Sequence, residues 1–227
     1  MSKKKAHHES GIENVEYALS RTEQYIEENR KSLTIIVVAI VAVIGVYLGY
    51  KKFYLAPKEI EAQSQITRAQ QYFERDSFNL ALHGDGDALG FLEIIDDYGV
   101  TETANLSHYY AGVCYLHMGK FEDAIEQLKK YDSHDKIISV LAIGGIGDAY
   151  SELGELDKAA TFYEKAASKN KNSFTTPIFL KKAGLVYEAK NNYKKALAAY
   201  EDIKYKYPSS DEAREIDKYI EAVKLKL

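Results

Sequence analysis

The chain is predicted to be all-α, with a single N-terminal transmembrane helix followed by an α-solenoid of paired helices that a last helix caps. Three observations predict this. From Leu33 to Tyr50 eighteen consecutive residues carry no charge. Beyond them a spacing of Gly, Tyr, a turn residue and Ala occurs three times, at offsets of 35 and 37 residues. No segment alternates apolar and polar residues at period two for long enough to compete as a strand.

Composition sharpens the division. Of the 227 residues 46% are hydrophobic and 28% charged, an average that suits a soluble protein and describes neither part. Residues 1–58 hold nine Lys/Arg and six Asp/Glu (net +3), whereas residues 59–227 hold 21 and 28 (net -7). An acidic domain without a basic stripe repels phosphate backbones, which argues against nucleic-acid binding. One Cys excludes an internal disulfide framework and a multi-Cys zinc site.

Residues 1–32 read as a tail and an amphipathic helix on the cytoplasmic side. Ile12, Val15, Leu19, Thr22 and Ile26 follow one another at spacings of three and four, with Glu and Arg between them. This helix either docks a partner at the membrane surface or continues the span as a stub.

Residues 33–55 are predicted to cross the membrane. The run is apolar all round, so it has no polar face to turn to water. At ~1.5 Å per residue it makes roughly 27 Å, and Lys51 to Leu55, with snorkelling lysines, complete the ~30 Å of hydrocarbon. Tyr47, Tyr50, Phe53 and Tyr54 cluster at one end as an interfacial belt does. The long, half-acidic segment ahead of the run and the exit Tyr54-Leu55-Ala56-Pro57 do not suit a cleaved signal peptide. Orientation follows the positive residues. Lys3, Lys4, Lys5, Arg21, Arg30 and Lys31 precede the span, against Lys51, Lys52, Lys58 and Arg68 after it. This places the N-terminus in the cytoplasm and, in a bacterium, the large domain in the periplasm.

Residues 56–104 are expected to form a linker helix and an atypical first repeat. Ala69-x-x-Tyr72-x-x-x-Asp76-x-Phe78-x-x-Ala81 keeps the repeat register until His83-Gly-Asp-Gly-Asp87 interrupts it. A helical run resumes from Ala88 through Phe91, Leu92, Ile94 and Ile95 to Tyr98-Gly99.

Residues 105–207 hold three repeats. Gly112-x-x-Tyr115-x-x-x-Gly119-x-Phe121-x-x-Ala124-x-x-x-Leu128 returns as Gly147, Tyr150, Gly154, Leu156, Ala159 and Tyr163. It returns again as Gly184, Tyr187, Asn191, Tyr193, Ala196 and Tyr200. The small Gly lets the second helix approach, a ring or Leu fills the contact, and Gly119, Gly154 and Asn191 stop the first helix. The register resembles the tetratricopeptide repeat (TPR), a helix-turn-helix unit of about 34 residues. Residues 208–227 then close the stack, with Ser209-Ser210-Asp211-Glu212 as an N-cap ahead of Ile216, Tyr219, Ile220 and Val223.

Candidate chemistry is sparse. The Asp85 and Asp87 carboxylates beside His83 could approach a Ca²⁺, but the remaining ligands of such a loop are missing, and a tight surface turn uses the same residues. His7 and His8 alone make a weak metal site. Cys114 reads as a buried thiol, and His108, His117 and His134 show no metal-ligand spacing. Gly144-Gly145-x-Gly147 lies inside a predicted helix and reads as close helix packing rather than a phosphate loop. No nucleophile, base and oxyanion arrangement can be assembled, so the chain is expected to be no enzyme, with neither cofactor nor metal.

The TPR resemblance implies that first-helix residues line a groove. Mapped here, these are Leu106, Tyr109, Val113, Leu116 and His117, then Leu141, Gly144, Asp148, Ser151 and Glu152, then Ile178, Lys181, Leu185 and Glu188. Only Lys181 fits the clamp that family members use for a C-terminal carboxylate. The lining is apolar with a few acids, which suits an apolar extended segment or an amphipathic helix.

From about Glu13 to Leu227 the order of tail, span, repeats and cap resembles the membrane-anchored TPR proteins of the YfgM type. That resemblance implies an ancillary subunit of the SecYEG translocon in the bacterial inner membrane. Its implied partners are a PpiD-like periplasmic chaperone and unfolded exported polypeptides leaving the channel. A scaffold for another cell-envelope assembly or secretion complex is the alternative.

Overall fold

The computed structural model describes residues 25–227. His7, His8 and, apart from Ile26, the residues of the expected amphipathic helix lie outside the described residues. The chain divides into two units, Met1–Ala56 and Pro57–Leu227.

Within the first unit, α1 (Arg30–Tyr50) has no buried residue and is followed by a π-helical turn, Lys51–Leu55. It is long and apolar enough to cross a membrane. The Tyr50 and Tyr54 rings stack at 5.3 Å at its end.

The second unit is all-helical among the described residues. Its elements are α2 (Ala56–Glu74), α3 (Phe78–His83), α4 (Phe91–Tyr98), α5 (Glu102–His117), α6 (Phe121–Lys130), α7 (Ile138–Glu152), α8 (Leu156–Lys169), α9 (Thr175–Ala189), α10 (Tyr193–Lys206) and α11 (Ile216–Lys224). Each helix from α4 to α11 packs on the next, and the first helices α5, α7 and α9 also touch in series.

One backbone device closes every pair. Asp76, Gly119, Gly154 and Asn191 have φ of 56°, 72°, 74° and 56°, the left-handed conformation that ends a helix. Behind each, the next N–H reaches back to a tyrosine carbonyl: Ser77 to Tyr72, Lys120 to Tyr115, Glu155 to Tyr150 and Asn192 to Tyr187, at 2.8–2.9 Å. The Tyr of the repeat thus supplies the carbonyl that closes a Schellman motif four residues ahead of the turn residue. Asp76 extends the device to the atypical first repeat.

The repeat glycines sit where the second helix presses closest. A Cβ on Gly112 would lie 2.5 Å from Leu128 Cγ, on Gly147 2.7 Å from Tyr163 Cδ1, and on Gly184 2.3 Å from Tyr200 Cε1. Every repeat therefore pairs its Gly with the bulky residue sixteen positions on. Ala81, Ala124, Ala159 and Ala196 are fully buried at the facing positions. In α7 the three glycines meet three different neighbours. Gly147 faces Tyr163 of its own pair, Gly145 faces Leu128 of the preceding pair, and Gly144 lies under the Phe179 ring of α9.

The segment ahead of α5 differs from the three repeats that follow. Its second helix is split into α3 and α4, and helix resumes at Phe91 rather than Ala88. Around the insert the backbone pinches shut, since a Cβ on Gly90 would fall 2.3 Å from the Leu82 carbonyl oxygen. Rings of Phe73, Phe91 and Tyr110 pack within 5.0–6.4 Å of one another to fill this end. At the other end a 3-10 turn, Glu212–Glu215, intervenes, so α11 begins at Ile216 and buries Ile216, Ile220 and Val223.

Glu59 ties α2 to the repeats. Its carboxylate accepts from the Glu102 N–H at 2.8 Å and from the Thr103 hydroxyl at 2.6 Å, satisfying the start of α5. Below it Ala62, Ile66 and Ala69 are buried.

Candidate functional site

Five of the fourteen residues in the expected groove converge on one cleft of about 610 Å³: Leu116, His117, Asp148, Ser151 and Glu152. It draws on three successive first helices, because Lys182 of α9 completes it together with Gly119, Phe121 and Tyr163. The register explains the convergence. Leu116 and Ser151 each stand four residues after the repeat glycine, on the same face of α5 and α7, and that face ends beside the turn.

Asp148 organises the floor. Its Oδ1 accepts from Tyr163 Oη at 2.7 Å and from Lys182 Nζ at 2.6 Å. Burial, then the Asp148 charge, pushes the Tyr163 phenol well above its usual range, so it stays a donor at any physiological pH. Lys182 also lies over the Tyr163 and Phe179 rings, at 5.7 and 5.8 Å. His117 stacks on Phe78 at 4.4 Å and closes one side. Leu116 and Phe121 give an apolar wall, and Glu152 is exposed at the rim. This combination of apolar wall, fixed charge pair and hydroxyl can hold a polypeptide segment by its side chains and backbone.

The other expected residues lie elsewhere. Tyr109 and Val113 lean on the core beside Leu116, and Tyr109 packs against Tyr110 and Tyr131 rings at 5.5 and 5.8 Å. Leu141 is partly buried against the same core, and Leu106 and Ile178 are half-buried on their helices. Gly144 offers no lining, being covered by Phe179. Lys181 points to the cap, over the Tyr219 ring at 5.1 Å. Glu188 accepts from Tyr200 Oη at 2.8 Å and pairs with Lys226 at 3.4 Å, while Leu185 is exposed on α9. The residues missed from sequence, Tyr163 and Lys182, sit at positions whose periodicity marks them as core and outer face. Only the acid at Asp148, a first-helix position otherwise apolar, signalled that a cation would face it.

The insert is a self-satisfied turn. Asp85 accepts from the Asp87 and Ala88 N–H groups at 3.0 and 2.8 Å and from the Tyr72 hydroxyl, with Arg68 at 3.7 Å. The Tyr72 bond and these backbone donors hold its carboxyl below the usual range. Cys114 is fully buried, and burial pushes its thiol up to about 12. No group of three or more His, Cys, Asp or Glu is placed to hold a metal ion among the described residues.

Models of the tetratricopeptide repeat match residues 142–172, 107–133 and 182–210. The chain carries tetratricopeptide repeats. The matched segments coincide with the α5/α6, α7/α8 and α9/α10 pairs, and repeats of this kind are protein-interaction scaffolds. Comparison with curated proteins shows no match.

Proposed function

We propose that this TPR protein is a single-pass membrane-anchored scaffold, N-terminus in the cytoplasm and repeats in the periplasm, and an ancillary subunit of the SecYEG translocon. In this reading the Leu116–Asp148–Lys182 cleft holds a PpiD-like periplasmic chaperone or a segment of an emerging exported chain. The observation that carries the binding role is the cleft itself. It is shared by three consecutive repeats, partly apolar, and its one fully paired acid is held by a tyrosine and a lysine. The span and the resemblance in domain order support the assignment to the translocon.

The lining modifies the expected occupant. With Ser151, Glu152 and the Asp148–Lys182 pair beside Leu116, the cleft suits an extended segment that offers backbone groups as well as apolar side chains. Purification in mild detergent followed by mass spectrometry tests the reading. Sec components and a membrane-anchored periplasmic chaperone are expected to co-purify. Consistent recovery of a different envelope or secretion machine would replace the translocon by that scaffold role.

A further inference from the structure

Two clefts of the same build open between successive second helices, and they differ in charge. The first, about 310 Å³, lies between α6, α7 and α8; the second, about 190 Å³, lies between α8, α9 and α10. Neither shares a residue with the Leu116–Asp148–Lys182 cleft. Register relates them: Glu164 stands 35 residues after Lys129, and Leu180, Asp202 and Lys206 stand 37 after Ile143, Lys165 and Lys169. Lys129 and Glu164 both reach the tyrosine of a repeat, since Lys129 Nζ donates to Tyr150 Oη at 3.3 Å and Glu164 accepts from Tyr187 Oη. Equivalent places thus carry opposite charges.

The second cleft neutralises itself. Lys206 pairs with Asp202 at 2.8 Å, and the lining sets Lys171 and Lys206 against Glu164 and Asp202. In the first cleft Lys129, Lys165 and Lys169 stand against Asp132 alone, although residues 59–227 carry net -7. None of these three lysines enters an ion pair among the described residues. On the flanking segments Glu126 is engaged by Lys130 at 2.8 Å, and Asp135 by the N–H groups of Ile137 and Ile138 at 2.7 and 2.6 Å. Beside the lysines Ile143 and Phe162 are half-buried, and Lys165 lies over the Phe162 ring at 5.8 Å. The second cleft has Ala199 at the place of that ring.

An apolar wall beside unpaired cations suits an apolar group that carries negative charge. Asp132 distinguishes the source of that group. The Asn105 side chain holds the Asp132 N–H and carbonyl at 3.0 and 2.7 Å, whereas the Asp132 carboxylate accepts no hydrogen bond from the described residues. It is left to meet a backbone N–H, which a polypeptide offers and a fatty acid or phosphate ester does not. We propose that this outer cleft docks an acidic segment of a partner polypeptide. An apolar side chain of the segment lies on Ile143 and Phe162, and its flanking Asp or Glu carboxylates reach Lys129, Lys165 and Lys169. The proposal rests on the reading of the chain as a protein-interaction scaffold and gives that scaffold a second surface, built on the second helices.

The full chain, purified in mild detergent, is passed over immobilised peptides in which a Leu-Phe pair is flanked by glutamates, by glutamines or by lysines. Retention on the glutamate peptide is expected to exceed that on the glutamine peptide by about tenfold at low salt, and to shrink as salt screens the exposed lysines. Lys165→Asp copies the arrangement of Asp202 and Lys206 in the next pair, so the fold tolerates it. It is expected to bring retention down to the glutamine level, and Lys165→Arg to keep it, with the same helicity by circular dichroism in both. Equal retention of the three peptides, including none, overturns the proposal, as does a preference for the lysine peptide. Loss of retention in Leu116→Glu but not in Lys165→Asp also overturns it, because the first-helix cleft is then the acceptor. So does self-association of the full chain that Lys165→Asp abolishes, since a second copy then fills the cleft. In each of these cases the scaffold reading is decided separately, by whether a partner co-purifies in mild detergent.

Discussion

Adjacent glycines in α7 make opposite predictions for the same substitution. Alanine in place of glycine inside a helix gains about 1 kcal/mol from the backbone alone. At Gly144 the new methyl would sit 1.9 Å from Phe179 Cε1 and 2.1 Å from Cζ. Phe179 is 3% exposed and its ring stacks 6.3 Å from that of Tyr163, so it has nowhere to swing. Overpacking of this kind costs about 1–3 kcal/mol, and with the Phe179 ring backed by that of Tyr163 the upper part of that range applies. Gly144→Ala is therefore expected to destabilise by about 1–2 kcal/mol net. At Gly145 the methyl would meet Leu128 Cδ1 at 3.0 Å and Leu116 Cδ1 at 3.4 Å, the ends of flexible side chains that yield by a few tenths of an ångström. Gly145→Ala is expected to be neutral or to gain up to about 1 kcal/mol. For a chain of this size the Tm should fall by about 2–8 °C in the first variant and hold or rise by up to about 4 °C in the second. Thermal melts followed by circular dichroism in one detergent read both. Equal losses in the two variants, or a stabilised Gly144→Ala, would refute the packing of α7 against α9 through Phe179.

Glu59→Gln removes the charge at the start of α5 and should cost about 1 kcal/mol, seen as faster hydrogen exchange at the Glu102 and Thr103 amides; unchanged exchange would mean the contact is idle. Cys114, fully buried with its thiol raised to about 12, should resist thiol reagents at pH 8 until denaturant is added, and prompt labelling of the native chain would contradict its burial. Tyr163, Tyr187 and Tyr200 are held above the usual phenol range, first by burial and then by Asp148, Glu164 and Glu188. Their raised folded values mean that the stabilisation is complete below the unfolded phenol value of about 10 and is lost as pH rises from there through the folded values. Urea midpoints should stay level up to that point and then decline, less steeply in Tyr163→Phe; a Tyr163 phenol titrating at its ordinary value in the folded chain would refute this.

The repeats were legible because their spacing encodes contacts. Gly112, Gly147 and Gly184 are spaced from Leu128, Tyr163 and Tyr200 by the same sixteen residues, and the left-handed residues fall where Gly or Asn signals them. Asp76 shows that the same position can be filled by a residue whose turn propensity is weaker, identified only by register. The groove was legible in part. A helical face can be counted from the glycine, which brings Leu116, Asp148 and Ser151 to the cleft, but which neighbouring lysine crosses to Asp148 depends on how α9 is rotated against α7. That rotation is set by Phe179 over Gly144, a contact between repeats that no single-repeat pattern contains, and it turns Lys182 inward and Lys181 toward Tyr219. Glu59 was invisible for the same reason, since it acts on a helix start forty-three residues away.

The most direct test of the account is covalent capture at the cleft. A photo-crosslinking residue at Ser151 in the full membrane-anchored chain is compared with one at Thr161, exposed on α8 outside the cleft. The account predicts adducts at Ser151 that contain a membrane-anchored periplasmic chaperone, a Sec subunit or exported chains, and few at Thr161. Equal yields at the two positions, or no polypeptide adduct at Ser151, would contradict the cleft as the working surface of these repeats.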